Sequence, residues 1–264
     1  MVEIASKANP KIKLVRSLRD RKTRKEQGLF MVEGISHIGL AAENKAPIEF
    51  VVYSADLLDT PFAKELVEKI GSVGIETLST SPEILASLAD KDNPAGMLAV
   101  VRQQPAQLSD LMMDASAIAA AIVAPQDPGN LGSILRTIDA VGAAGLILLD
   151  GGVDPWNPSA VRAGLGAHFT KPIVQASFSD FTRWATNNSC HIYGSSAHTE
   201  KDYKQAEYKS PAVLLLGSER EGLSPEQLAI CESVVGLPMR GRVTSLNLSV
   251  AAGILLYELA AKIS

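Results

Sequence analysis

The chain has 264 residues, 46% of them hydrophobic and 20% charged, a composition that builds a sizeable buried core and excludes general disorder. Counting glycine as apolar, the longest uninterrupted apolar run is Ala140–Leu149, far short of the roughly 20 residues that a membrane-spanning helix needs. The net charge of −4 hides a polarised distribution: residues 7–25 hold nine Lys and Arg against one acid, Asp20, while the rest of the chain holds 16 bases against 28 acids.

From the amino end, Met1-Val2-Glu3-Ile4-Ala5-Ser6-Lys7 has no hydrophobic signal core, and a cytoplasmic location is expected. In the basic segment, Ile12, Leu14, Val15 and Leu18 recur at helical spacing, so a helix there docks one face and offers Lys and Arg on the other. Such a segment on an otherwise acidic chain points to a local polyanion contact, with a solvated basic helix as the bland alternative. Leu29–Gly34 reads as a buried strand ending in a glycine turn. A short helix over Ile35–Ala42 and a strand over Phe50–Tyr53 follow. A helix from Pro61 to Ile70 has Thr60 placed to cap it and proline at its first position. Ile75–Leu78 reads as a strand, Ser81-Pro82-Glu83 opens another helix, and Gly96–Val101 is a last strand. The polar, proline-broken run Arg102–Gln107 marks a boundary.

From Ala117 the rhythm is β-α-β-α. Strand Ala119–Ala124 leads through a Pro/Gly loop into a helix ending near Val141. Strand Gly145–Leu149, a loop through Pro155–Pro158 and a short helix come next. Strands at Pro172–Gln175, His191–Gly194, Val213–Leu216 and Ser233–Leu237 follow, and a helix over Leu246–Lys262 ends the chain. Apolar strands alternating with helices imply an α/β fold with a mostly parallel sheet covered on both faces. The final helix is apolar around most of its circumference, so burial on several sides is expected, including against another subunit.

Ligands of such sheets gather at the carboxyl ends of the strands, where three loops concentrate polar groups. After Ala124 comes Asp127-Pro128-Gly129-Asn130-Leu131-Gly132-Ser133-Ile134-Leu135-Arg136. Asn130 is suited to cap the following helix, and Arg136, about one and two-thirds turns on, has the length to reach back and complete a phosphate site. After Leu216 comes Gly217-Ser218-Glu219-Arg220-Glu221-Gly222-Leu223, where Gly217 suggests close approach to a ligand or another chain and ionised carboxylates at a strand end need partners. After Leu237 comes Pro238-Met239-Arg240-Gly241-Arg242-Val243-Thr244-Ser245-Leu246-Asn247, two arginines beside potential caps. Against each loop stands the reading that these are caps and solvated turns only. There is no Gly-x-Gly-x-x-Gly, Walker loop, nucleophile elbow or kinase signature. Cys190 and Cys231 form no Cys-x-x-Cys pair, and the four histidines form no His-Glu-x-x-His pattern, so no disulfide framework or metal is expected. The residues by themselves do not yield a cofactor.

The three loops, in this order, resemble the signature of the SpoU/TrmH branch of the SPOUT RNA methyltransferases. Asn130 to Arg136 matches its Asn-x-Gly-x-x-x-Arg, Gly217 to Leu223 its Gly-Ser-Glu-x-x-Gly-Leu, and Pro238 to Ala251 its Pro-Met-x-Gly…Ser-Leu-Asn-x-Ser-x-Ala. The basic helix and Leu29–Gly34 resemble the ribosomal-protein-like RNA-binding domain of that family. The resemblance implies an RNA substrate-binding domain over 1–103, a linker over 104–116 and a methyltransferase domain over 117–264 holding a trefoil knot. It implies transfer of a methyl group from S-adenosylmethionine to a ribose 2′-hydroxyl of structured RNA, ribosomal RNA before transfer RNA, with no DNA or membrane partner and no metal, by a homodimer joined through the C-terminal domain. Arg136, Asn130, Glu219, Ser245 and Asn247 then carry the chemistry, and Gly217, Leu237, Met239 and Leu246 line the cofactor site. Lys11, Lys13, Arg16, Arg19, Arg21, Lys22 and Arg24 contact RNA. The competing readings are an RNA-docking ribosome-assembly protein with a dead site and a carboxylate hydrolase using Asp127 and Glu219.

Overall fold

The computed structural model describes residues 2–4, 6–89 and 96–263, and the chain gathers into two compact units. One takes the residues up to Gln103 together with Trp156–Phe169; the other takes Gln104–Pro155 and the residues from Thr170 on.

The first unit is built on a mixed five-stranded sheet. In chain order its elements are β1 (Val2–Ile4), α1 (Pro10–Ser17), α2 (Arg21–Gln27), β2 (Leu29–Glu33), α3 (Ile35–Glu43), β3 (Ile48–Tyr53), α4 (Pro61–Ser72), β4 (Glu76–Thr80), α5 (Pro82–Ala86) and β5 (Met97–Arg102). The strand order is β1-β4-β3-β5-β2, with β5 antiparallel to both its neighbours and the other pairs parallel. Asn9 caps α1 ahead of Pro10, Asp20 caps α2, and Gly28, at φ +63, ends it. The basic stretch is therefore two helices broken at Asp20. Ile12, Val15 and Leu18 pack on one face of the sheet with Leu29, Met31, Phe50, Val52, Leu98 and Val100, alternate residues of three strands, as the two-residue period of a strand requires. Phe30 faces the other way, with its ring 4.7 Å from that of Trp156 and 6.4 Å from that of Phe169.

The second unit is a six-stranded, wholly parallel sheet. Its elements are β6 (Ile118–Val123), α6 (Pro128–Ala140), β7 (Leu146–Leu149), β8 (Ile173–Ala176), α8 (Phe178–Asn187), β9 (His191–Ser195), β10 (Ala212–Leu216), α9 (Pro225–Ala229), β11 (Ser233–Val235) and α10 (Leu248–Ile263); α7 (Pro158–Gly164) is the helix of the segment that joins the first unit. The strand order is β11-β9-β10-β6-β7-β8. β6, β7 and β10 are buried along their whole length, which explains why they read as continuous apolar runs rather than alternating ones. The α/β class and parallel sheet expected from the sequence are present.

Candidate active site

The three polar segments leave the carboxyl ends of β6, β10 and β11. β10 pairs directly with β6, and Leu216 lies level with Ile122, so the first two segments emerge side by side. The turn out of β6 passes through Ala124 at φ +41, a left-handed conformation that costs energy in any residue bearing a Cβ. The Ala124 N–H donates to the Leu149 carbonyl at 2.8 Å, tying the turn to β7.

Asp127, not Asn130, caps α6. Its Oδ1 accepts the Asn130 N–H at 2.6 Å, with Pro128 in the first helical turn. The expectation for Asn130 is corrected here because the Asp-Pro pair, which looks like turn punctuation, is itself a cap followed by an N1 proline. Relieved of capping, the Asn130 side chain lies in the first turn and accepts the Asn247 Nδ2 at 2.9 Å. Asn247 Oδ1 in turn accepts the N–H and hydroxyl of Ser249 at 2.8 and 2.7 Å. α10 consequently starts at Leu248, leaving Leu246 and Asn247 in the loop.

The second segment reaches the same place. The Glu219 carboxylate accepts the backbone N–H groups of Gln126 and Asp127 at 3.1 and 3.3 Å, close to a helix start whose dipole favours negative charge. This is the partnering that an acid at a strand end needs. Gly217 does make a close approach, but to its own loop: a Cβ there would lie 2.1 Å from the Gly222 carbonyl carbon and 2.5 Å from Leu223 N. Gly222, at φ +68, closes the turn, its N–H donating to the Ser218 carbonyl at 3.1 Å. Asp127 and Ser249, named by the sequence only as members of their loops, thus belong to the cluster, together with Gln126, which no motif singled out.

Arg136 is exposed on α6, and Ser245 is exposed in the third loop; neither is drawn into this hydrogen-bonded cluster. Leu237 and Met239 are half-buried, Leu246 is exposed, and residues 237–246 make no backbone–backbone hydrogen bond among the described residues. Their amides and carbonyls are available to something else.

The basic residues of α1 and α2 divide into two groups. Arg24 is only 1% exposed and donates to the Leu18 and Arg19 carbonyls, both at 2.8 Å. It closes the α1–α2 turn, and this corrects its expected place among the RNA contacts. Arg19 donates to the carbonyls of Leu88 and Ala89, Lys11 pairs with Glu76, and Lys22 lies 3.8 Å from Glu26. Lys13, Arg16 and Arg21 are exposed. Elsewhere, burial pushes the Cys190 and Cys231 thiols up to about 11, which disfavours the thiolates that nucleophilic or metal chemistry needs. No group of three or more His, Cys, Asp and Glu able to hold a metal occurs among the described residues, nor is any helix there long and apolar enough to cross a membrane.

Comparison with known proteins gives a consistent picture. The model of the SpoU rRNA Methylase family matches residues 117–257, and that of the MRM3-like substrate binding domain matches residues 9–99. A 23S rRNA (uridine(2479)-2′-O)-methyltransferase of Streptomyces viridochromogenes is 31% identical over 91% of this chain and 85% of its own. The 23S rRNA (guanosine(2553)-2′-O)-methyltransferase RlmP of Bacillus subtilis (strain 168) is 26% identical over 98% of this chain and 99% of its own. Among solved structures, an AdoMet-bound rRNA methyltransferase from Sinorhizobium meliloti superposes with a TM-score of 0.89 at 32% identity, covering 98% of this chain and 97% of that one.

Proposed function

The chain belongs to the SpoU rRNA methylase family, and on that premise we propose an enzyme whose three strand-end loops assemble one ribose-methylating centre. It is an S-adenosylmethionine-dependent RNA 2′-O-ribose methyltransferase acting on ribosomal RNA. Residues 1–103 bind the RNA, 104–116 connect, and 117–264 methylate. The observation that carries the site reading is the convergence on the start of α6: Glu219 reaches it from β10 and Asn247 from the segment after β11.

The lining suits the cofactor. An adenosine with an amino-acid tail needs an apolar wall and many small polar contacts; Leu237, Met239 and Leu246 supply the first, and the backbone of 237–246 with unspent amides and carbonyls supplies the second. Gly217 keeps the neighbouring turn narrow. When bound, S-adenosylmethionine presents an electrophilic methyl group whose sulfonium charge vanishes on transfer. The chain's own task is to align a weakly nucleophilic ribose hydroxyl. Arginine is not deprotonated in proteins, so Arg136 acts by gripping an RNA phosphate and orienting the adjacent hydroxyl. Asn130, held by Asn247, and Glu219 fix the surrounding loops, and Ser245, outside that cluster, is left to position the ribose.

A homodimer through the C-terminal domain is part of the reading. Val250, Ile254 and Tyr257, 50%, 37% and 59% exposed, follow one another at four- and three-residue spacing on α10, and Leu246 at 38% continues the stripe into the third loop. An apolar stripe of that kind on the exposed face of a packed helix is an association surface. Ile254→Arg is expected to convert a dimer to a monomer in light scattering; a wild-type monomer overturns this part. The cytoplasm, where ribosomal RNA is at hand, is the compartment proposed.

The test of the whole reading is methyl transfer from labelled S-adenosylmethionine to protein-free ribosomal RNA, with the product nucleoside identified by mass spectrometry. A 2′-O-methylnucleoside is expected, and Arg136→Ala should lower kcat about 10²-fold or more with cofactor affinity unchanged. Transfer to a base, or no transfer, refutes the reading; an unimpaired Arg136→Ala refutes the role of Arg136.

A further inference from the structure

We infer that Arg220, Arg240 and Arg242 form an RNA phosphate-binding rim on the methyltransferase unit, separate from the basic helix pair of the first unit; this rests on the reading of the protein as an RNA methyltransferase. The second unit, Gln104–Pro155 and Thr170–Ser264, holds ten Lys and Arg against 15 Asp and Glu, so cations are scarce there. Their distribution is uneven. Of its five arginines, Arg136, Arg220, Arg240 and Arg242 lie in or just after the three strand-end loops, and Arg183 is the exception; none of the five lysines lies in those loops. Arg183 has a partner, Asp180 at 3.3 Å. Arg220, Arg240 and Arg242 are exposed and make no hydrogen bond or ion pair among the described residues.

The segregation follows phosphate chemistry. Guanidinium presents a planar fork that takes two phosphate oxygens at once, whereas ammonium is a strongly hydrated point charge. The loops that carry these arginines are drawn to the start of α6 through Glu219 and Asn247. The first unit also offers fewer free cations than its sequence suggests. Of the seven basic residues of the α1–α2 segment expected to meet RNA, Arg24, Arg19 and Lys11 already bind groups within that unit, and Lys22 lies 3.8 Å from Glu26 with both side chains exposed.

The experiment compares the full-length protein with its Arg240→Gln/Arg242→Gln variant, with Arg220→Gln alongside. Binding of a fluorescein-labelled stem-loop RNA is followed by anisotropy across a salt series, and cofactor binding by calorimetry. Each phosphate contact contributes about 0.7 to 0.9 to the logarithmic salt slope. Losing two therefore flattens the slope by about 1.6 and weakens binding about 40-fold near 0.1 M salt, and Arg220→Gln flattens it by about half as much. Cofactor affinity stays the same, and Arg240→Lys/Arg242→Lys keeps the slope. An unchanged slope overturns the inference. So does a loss of cofactor affinity with RNA binding intact, which would assign the arginines to the carboxylate of the donor. A wild-type protein that transfers no methyl group to protein-free ribosomal RNA would instead overturn the RNA methyltransferase reading itself.

Discussion

Replacing Asp127 with alanine separates what a helix cap does for stability from what it does for geometry. The substitution removes the acceptor that holds Asn130 N–H at 2.6 Å, a cap worth about 1 kcal/mol. In a domain of about 150 residues that lowers Tm by roughly 2–4 °C. Native stabilities are about 5–15 kcal/mol, so the folded fraction at assay temperature hardly changes. Activity should change far more. Asn130 is the acceptor for Asn247, and Glu219 is anchored on the N–H groups of Gln126 and Asp127, so a loosened first turn shifts parts of all three loops together. A displacement of about 1 Å in positioning groups costs on the order of 10²-fold in rate. Methyl-transfer kinetics with calorimetry on Asp127→Ala, Asp127→Asn and the wild type are the assay. Asp127→Ala is expected to lose kcat with a small change in KM for the cofactor, while Asp127→Asn, which keeps an acceptor at the cap, retains most of both. If Asp127→Ala lowers Tm as stated and leaves kcat within about threefold, the idea that this cap organises the centre is wrong.

Other substitutions bear on neighbouring points. Gly217→Ala places a methyl group 2.1 Å from a backbone carbon and must open the turn, so a destabilisation of at least about 2 kcal/mol with loss of cofactor binding is expected in calorimetry; Gly222→Ala, with nothing within 4 Å of the new methyl, should be milder despite its positive φ. Arg24→Ala strips a buried hydrogen bond from the Leu18 carbonyl and a part-buried one from that of Arg19 and should cost about 3 kcal/mol in denaturant melts, whereas Arg21→Ala should leave the melt unchanged and weaken RNA binding. Lys209 at 2.7 Å, then His191, hold the Glu232 carboxyl below its ordinary value of 4.5. A depressed carboxyl contributes stability that is fully present above that value and drains away as pH falls below it. Glu232→Gln should therefore flatten the acid side of a Tm-against-pH curve and leave the neutral side parallel to wild type.

Much of the architecture was legible in the sequence because its signals are local. The wholly buried strands Ile118–Val123 and Ala212–Leu216 are continuous apolar runs, and α4 and α5 announce themselves by a capping Thr60 or Ser81 before proline. Three features were not legible, each for a nonlocal reason. Val2–Ile4 is too short to show a period and becomes a strand through its pairing with β4. Arg24 is buried because the end of α1 leaves carbonyls that only its guanidinium fills, a fact of how two helices meet and not of composition. Within the site, the motifs named Asn130, Glu219 and Asn247, but which atoms meet is set by the register of β10 on β6. A fourth, the Asp127 cap, was hidden for a local reason: its proline reads equally well as a turn.

The first unit borrows Trp156–Phe169 from far along the chain, and this imposes an order on biosynthesis. Phe30 leaves the ribosome more than a hundred residues before the rings that will cover it, Trp156 and Phe169. The amino-terminal sheet is thus translated early but finished late, and during that interval it shows an aromatic side chain that a chaperone, or another nascent chain, can seize.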